Sequence, residues 1–241
     1  MAVDEILLEW AAESGGCCWR TYAWDAPTLS LGYFQDYEQR QSHPSSIECA
    51  AVRRLTGGGA ILHDAELTYS VVLPADHPLA GRRELLYCSV HGALIETLAE
   101  FGVSAAMHEP SPGGPDAEEP FLCFQRRAPG DVVVEGVKVA GSAQRRRRGA
   151  VLQHGSVLLS RSEAAPELPG LGDLAGRDIR PDQLADTWQA VLLRRLNVVW
   201  TAEPLSQQEL AQATTLADGR YSSHGWTSKP RRGGNRGKET L

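Results

Sequence analysis

Apolar residues Val3, Ile6, Leu7, Trp10 and Ala11 recur at the spacing of helical turns, which predicts an amphipathic helix over about residues 3–13. The period then changes. WRTYAWDAPTLSLGYFQ predicts two short aromatic-rich strands around a turn at Asp25-Ala26-Pro27. Residues 49–55 read as a strand feeding Gly57-Gly58-Gly59, and LTYSVVLP as another. From Arg82 to Phe101 the broad apolar face of Leu85, Leu86, Cys88, Val90, Leu94, Ile95 and Leu98 predicts the longest helix, stopped by Gly102. EPSPGGPDAEEP offers Pro, Gly and acid without core-forming residues, as a mobile surface loop would. DVVVEGVKVAGSAQ then predicts two strands joined tightly at Glu135-Gly136, with AVLQHGSVLLS as a third beside them. A helix over 181–196 carries Pro at its first turn, a shorter one covers about 205–216, and the basic tail KPRRGGNRGKETL reads as disordered. The order predicts one α+β domain, sheet-rich in its middle and helical at both ends.

Composition narrows the function classes. The chain has 241 residues, 42% hydrophobic and 22% charged, enough for a substantial core. A net charge of −6 gives no global attraction to nucleic acid or anionic membranes. No apolar run approaches the roughly 18–20 residues of a spanning helix. Asp4 and Glu5 stand where a secretory signal would carry positive charge, so the expected location is cytoplasmic. Five cysteines at irregular positions suit a reducing compartment, and none has the spacing of a zinc site, so no metal is expected.

Four segments carry candidate chemistry. The run Gly57-Gly58-Gly59 lacks both the P-loop Lys-Ser/Thr and the dinucleotide spacing, leaving a flexible turn or a bare-backbone wall for a ligand. Lys138 lies within a Val/Ala strand, either as a solvated edge residue or held for a purpose; small neighbours Gly136 and Ala140 clear a sheet face around it. His154-Gly155 interrupts an apolar strand, where glycine implies a bulge or a close approach. Cys123 follows the acidic loop with Arg126, Arg127 and Lys138 within reach, an electropositive setting that favours thiolate. Inert packing is the expectation for Cys17, Cys18, Cys49 and Cys88.

RRLTGGGAILHDAELTYS, DVVVEGVKVAGSAQRRRRGAVLQHGSVLL and YAWDAPTLSLGYFQ resemble the biotin/lipoate protein ligase superfamily, most closely the cysteine octanoyltransferases of lipoate biosynthesis. The resemblance runs from the first helix to RYSSHGWTSKP. It implies an α+β catalytic domain over residues 1–228, a mixed sheet flanked by helices around a class II aminoacyl-tRNA synthetase-like core, with 229–241 as tail. Carried over residue by residue, it makes Cys123 the nucleophile and Lys138 the group that binds the acyl carbonyl. Arg53, Arg54, Gly57, Gly58, Gly59 and His63 would line one side of an acyl pocket; Gly141, Ser142, Ala143, His154, Gly155 and Ser156 would close the other. One octanoyltransferase class keeps its cysteine in a late Pro-Cys-Gly stretch, which is missing here; the other uses a Cys-Phe pair shortly before the lysine strand, matched by Cys123-Phe124. Two departures from that class stand out: Gln125-Arg126-Arg127 directly after the pair, and the run Arg145 to Arg148, readable as a docking patch or a solvated hairpin tip.

The implied reaction moves octanoyl, or lipoyl, from acyl carrier protein through a Cys123 thioester to a lysine of a lipoyl-domain or glycine-cleavage carrier protein. It needs no cofactor, membrane or nucleic acid. Three alternatives remain open at this point: a lipoate ligase that uses ATP and Mg, an amidotransferase between lipoyl carriers, and a non-catalytic carrier-binding module.

Overall fold

The structure, a computed structural model, describes residues 1–109, 120–199 and 201–229. The acidic loop and the basic tail expected from the sequence lie outside them, apart from their flanking residues.

Fifteen principal elements follow one another among the described residues. Helix α1 (Ala2–Ser14) leads into β1 (Cys18–Tyr22), β2 (Thr28–Leu31), β3 (Ala50–Arg53), β4 (Ile61–His63) and β5 (Glu66–Leu73). After α2 (Arg83–Glu100) come β6 (Ala105–Met107), β7 (Val132–Val134), β8 (Val137–Arg147) and β9 (Ala150–Leu158). The chain finishes with α3 (Leu171–Ala175), α4 (Pro181–Leu196), α5 (Gln207–Leu216) and α6 (His224–Thr227). The six-stranded sheet β1-β5-β9-β8-β7-β6 is antiparallel throughout. A smaller sheet, β3-β2-β4, has β2 parallel to β3 and antiparallel to β4. The aromatic-rich strands expected on either side of Asp25 therefore belong to different sheets.

Strand alternation divides the core. Val71 and Val151 face α2 and α4, packing with Leu86, Val90, Leu94, Leu98, Leu184 and Trp188. Their neighbours Val72 and Leu152 turn to the opposite face, beneath Leu7, Leu8 and Ala11 of α1. This is the period-two pattern of a sheet covered on both sides. Trp188, fully buried, donates its Nε1–H to the Val90 carbonyl at 3.1 Å and so ties α4 to α2. Two members of the predicted α2 face are in fact exposed: Leu85 and Cys88 sit outside the stripe set by Leu86, Val90, Leu94 and Leu98.

Two hairpins shape the site. Glu135 (φ 52°) and Gly136 (φ 79°) form the two-residue turn between β7 and β8. Arg148 (φ 48°) and Gly149 (φ 85°) form the one between β8 and β9, both left-handed pairs that match strand twist. The four-arginine run thus ends in a hairpin tip. Arg147 pairs with Glu9, and Arg148 Nη1 lies 3.1 Å from Glu13 Oε1, fastening that tip to α1. Between β7 and β8 the register slips by one residue at Val132/Val133. This bulge leaves Val139 and Ala140 both in the α2-side core and keeps Lys138 and Gly141 together on the opposite face.

Candidate active site

A cavity of about 880 Å³ opens between the glycine arm, the Cys123 segment, strands β8 and β9 and the first turns of α2.

The glycine arm is held from behind by Arg54. This buried guanidinium donates from Nη2 to the carbonyls of Gly57 and Gly59, both at 2.8 Å, from Nη1 to Ser30 O and from Nε to Thr56 Oγ1. Burial pulls its pKa down to about 10, so it stays charged at neutral pH. Gly58 adopts φ 99°, and its carbonyl lies so close to Gly32 that a Cβ there would sit 2.0 Å from the oxygen. Arg53 turns the other way. Its guanidinium donates to the carbonyls of Gly32, Gln35, Trp226 and Thr227, and it is no part of the cavity wall. Arg53, expected beside Arg54 in the pocket, instead has all three guanidinium nitrogens engaged by the main chain of residues 32–35 and 226–227, which ties that loop to α6.

Cys123 docks onto this arm through backbone alone. Ala60 N donates to Phe121 O at 2.9 Å, and Cys123 N donates to Ala60 O at 2.7 Å. A Cβ on Gly59 would come within 3.1 Å of Cys123 N and 3.2 Å of its Cα, so the third glycine is the seat of the cysteine segment.

Lys138 Nζ lies 3.5 Å from Cys123 Sγ, 3.3 Å from Cys123 O and 2.8 Å from Asp131 Oδ2. The three N–H bonds of the ammonium are thereby directed, one of them at the sulfur. Asp131 is itself fixed by the Ala128 N–H, which donates to Oδ2 at 2.7 Å. Space for the lysine comes from Gly141: a Cβ there would stand 2.6 Å from Lys138 Cε. Ala140, expected to clear that face, lies on the other side because of the bulge. Gly155 is glycine for a related reason, since a Cβ would fall 2.2 Å from Gly141 O. Close approach, rather than a second bulge, accounts for it.

Each of the two cavity histidines is braced differently. His154 Nε2 meets Thr56 Oγ1 at 2.7 Å, and Nδ1 meets Asp4 Oδ2 at 3.2 Å, so both ring nitrogens are engaged. Burial lowers its pKa. His63 Nδ1 lies 2.9 Å from Glu66 Oε1, and its ring stacks on Trp24 with centroids 4.3 Å apart. Behind Lys138, on the α2 face, Ser142 Oγ joins Tyr69 Oη and His91 Nε2, while Tyr87 Oη donates to Ser142 O at 2.6 Å. His91 Nδ1 donates to Gly130 O at 2.5 Å, bracing the turn that carries Asp131.

Arg54, Gly57, Gly58, His63, Cys123, Lys138, Gly141, Ser142, Ala143, His154, Gly155 and Ser156 therefore border one cavity, with Gly59 directly behind. Asp131, Glu66, Trp24, Tyr87 and His91 join the site without being expected from the sequence. Asp131 had a readable signal, an acid opening an all-valine strand; His91 had none, being one polar position within a helix. Of the residues that depart from the Cys-Phe pattern, Gln125 donates to Glu167 and Arg127 to Gly136 O. Among the other cysteines, Cys17 and Cys88 are exposed rather than packed, and burial pushes the Cys18 thiol up to about 11. No helix among the described residues is long and apolar enough to cross a membrane.

Residues 1–165 match the lipoyl protein ligase A/B catalytic domain family. The chain is 31% identical over 258 residues to the octanoyltransferase LipM of Bacillus anthracis, with 95% of this chain and 93% of that one covered. Identity to the octanoyltransferase LipM of Moorella thermoacetica is 42% over 164 residues, 66% of this chain and 60% of the relative. In three dimensions it is similar to a chain of the bi-partite lipoate protein ligase system of Thermoplasma acidophilum. The TM-score is 0.72 at 21% identity, with 94% of this chain and 89% of that chain covered, a likeness of fold.

Proposed function

The chain belongs to the lipoyl protein ligase A/B catalytic domain family, and on that footing we propose that it is an octanoyltransferase of protein lipoylation acting through Cys123. The observation that carries the choice of residue is the placement of Cys123 Sγ 3.5 Å from the Lys138 ammonium inside the cavity.

In the first half-reaction the Cys123 sulfur attacks the carbonyl carbon of an octanoyl thioester on acyl carrier protein. The new C–S bond forms as the carrier's C–S bond breaks, and the carrier thiol leaves with the proton given up by Cys123. Lys138, its charge balanced by Asp131 and its position fixed by the Cys123 carbonyl, turns the N–H directed at sulfur toward the oxygen that becomes negative. Donors of this kind typically contribute about 10²–10³ in rate. In the second half-reaction a lysine of a lipoyl-domain protein takes the octanoyl group as an amide. Residues 1–228 form the catalytic unit, and neither ATP nor a metal enters the scheme.

Intact mass measurement after mixing with octanoyl-acyl carrier protein tests the reading. A gain of one octanoyl group that disappears in Cys123→Ala supports it. Transfer from free octanoate and ATP, undiminished in Cys123→Ser, would overturn it in favour of a ligase.

A further inference from the structure

Resting on that two-step reading, we propose that His63, oriented by Glu66, is the general base that takes the proton from the acceptor lysine amine in the second half-reaction.

The geometry is that of a histidine built to accept a proton from the cavity. His63 has only 4% of its side chain exposed, yet it borders the cavity, and among the described residues its Nε2 has no hydrogen-bond partner. The tautomer follows from the surrounding chain of donors. Trp24 Nε1–H donates to Thr68 Oγ1 at 3.0 Å, the Thr68 hydroxyl donates to Glu66 Oε1, and that same oxygen lies 2.9 Å from His63 Nδ1. Glu66 Oε1 is thus the acceptor, Nδ1 carries the hydrogen, and Nε2 presents a lone pair. The Trp24 ring, stacked on the imidazole with planes 13° apart, keeps it from rotating. A carboxylate that fixes the tautomer and stabilises the imidazolium is the logic of catalytic histidine–acid pairs.

Sheet register places this base opposite the nucleophile. Gly141, Ser156 and Thr68 stand side by side across β8, β9 and β5. Lys138 lies over the first of them, with Nζ 2.9 Å from where a Gly141 Cβ would be. His63 lies over the other two, Nδ1 being 3.4 Å from both Ser156 Oγ and Thr68 Oγ1. Neighbouring strands are about 4.8 Å apart, so roughly 5–10 Å separates the two side chains, room for a thioester carbonyl and an approaching amine. Lys138 cannot take this proton while it is an ammonium paired with Asp131.

The amine nitrogen bonds to the octanoyl carbonyl carbon, the C–Sγ bond breaks, and the electron pair leaves on Sγ beside Lys138. The proton shed by nitrogen passes to His63 Nε2 and from there to the released sulfur, restoring the thiol.

The test separates the half-reactions in wild type, His63→Gln and Glu66→Gln. Each protein is charged with octanoyl from octanoyl-acyl carrier protein, and discharge is followed by mass to a lipoyl-domain lysine or to hydroxylamine, whose more acidic N–H is lost to water unaided. We expect the two nucleophiles to diverge once the octanoyl-enzyme has formed, whatever the variants do to acylation itself. Lysine transfer should fall by about 10² or more in His63→Gln, and by less in Glu66→Gln. Equal losses toward both nucleophiles in both variants, or unchanged lysine transfer, would overturn the assignment of His63 alone. Wild-type protein that never acquires an octanoyl group on Cys123 would overturn both this step and the reading beneath it.

Discussion

Replacing Gly141 with alanine adds one methyl group at the point where the structure has least room for it. The new Cβ would lie 2.6 Å from Lys138 Cε and 2.9 Å from Nζ, where ordinary contact begins at 3.4 Å, so the lysine must retreat by roughly 0.8 Å. The obstructing atoms are the end of a flexible side chain, and Gly141 is in ordinary strand conformation, so the fold should survive. Overpacking of this kind costs about 1–3 kcal/mol, a fall in thermal midpoint from a few degrees to about 10 °C. Activity should suffer far more. A displacement of about 1 Å in a catalytic group can cost 10²-fold, and Lys138 starts only 3.5 Å from the Cys123 sulfur. The assay is the single-turnover rate of octanoyl adduct formation on Cys123, read by intact mass beside a melting curve. Acylation within threefold of wild type, in a protein that melts normally, would refute the claim that Lys138 placement sets that rate.

Asp131→Asn leaves the Lys138 ammonium without its charge partner where the two side chains are only 7% and 3% exposed. Breaking such a pair costs about 3–5 kcal/mol, to be read from urea unfolding, with Asp131→Glu recovering part of it; an unchanged midpoint would mean that the pair does not hold the lysine. Gly155→Ala drives a Cβ to 2.2 Å from the Gly141 carbonyl and 2.8 Å from Ser142 Oγ. Little soluble protein is expected, and a well-folded variant, by circular dichroism, would show that β8 and β9 can separate. Burial lowers the pKa values of His91 and His154 from the ordinary 6.5. Below about pH 6.5 the unfolded chain therefore binds more protons than the folded one. Stability should decline as pH falls from 7 toward 5.5, by at most about 1.4 kcal/mol per pH unit for each histidine. A flat unfolding midpoint over that range would contradict their neutral, buried state.

The long helices were legible because their apolar faces repeat over several turns, and α4 spans the expected 181–196. The three-residue strands β4 and β6 were not, since Ile-Leu-His and Ala-Ala-Met are too short to display a period and lack the run of β-branched residues that marks β7. The gathering of glycines, Lys138 and Cys123 was legible through family resemblance. The way they meet was not. A one-residue bulge decides which face Lys138 occupies, and a bulge leaves the Val-Lys-Val-Ala pattern unchanged. Arg53 and Arg54 look like a unit in the sequence, although neighbours at a strand end point in opposite directions; Arg54 grips the glycine arm and Arg53 grips α6. Asp131 and Glu66 act through partners brought from other strands, so their roles exist only after folding.

The Arg53 clasp bears on how the protein is made. Its guanidinium is fully buried, with donors ending on the carbonyls of Trp226 and Thr227, and Trp226 Nε1 donates back to the Arg53 carbonyl at 2.9 Å. Arg53 leaves the ribosome early, with its acceptors on Gly32 and Gln35 already made, whereas Trp226 and Thr227 leave more than 170 residues later. Until they emerge, that charge has no complete set of acceptors, and the loop of residues 32–35 that it also holds, with Gly32 packed against the Gly58 carbonyl, is not tied to α6. The catalytic cavity is therefore finished only when synthesis is nearly over, and a nascent chain stalled short of residue 226 would carry every proposed catalytic side chain without the scaffold that aligns them.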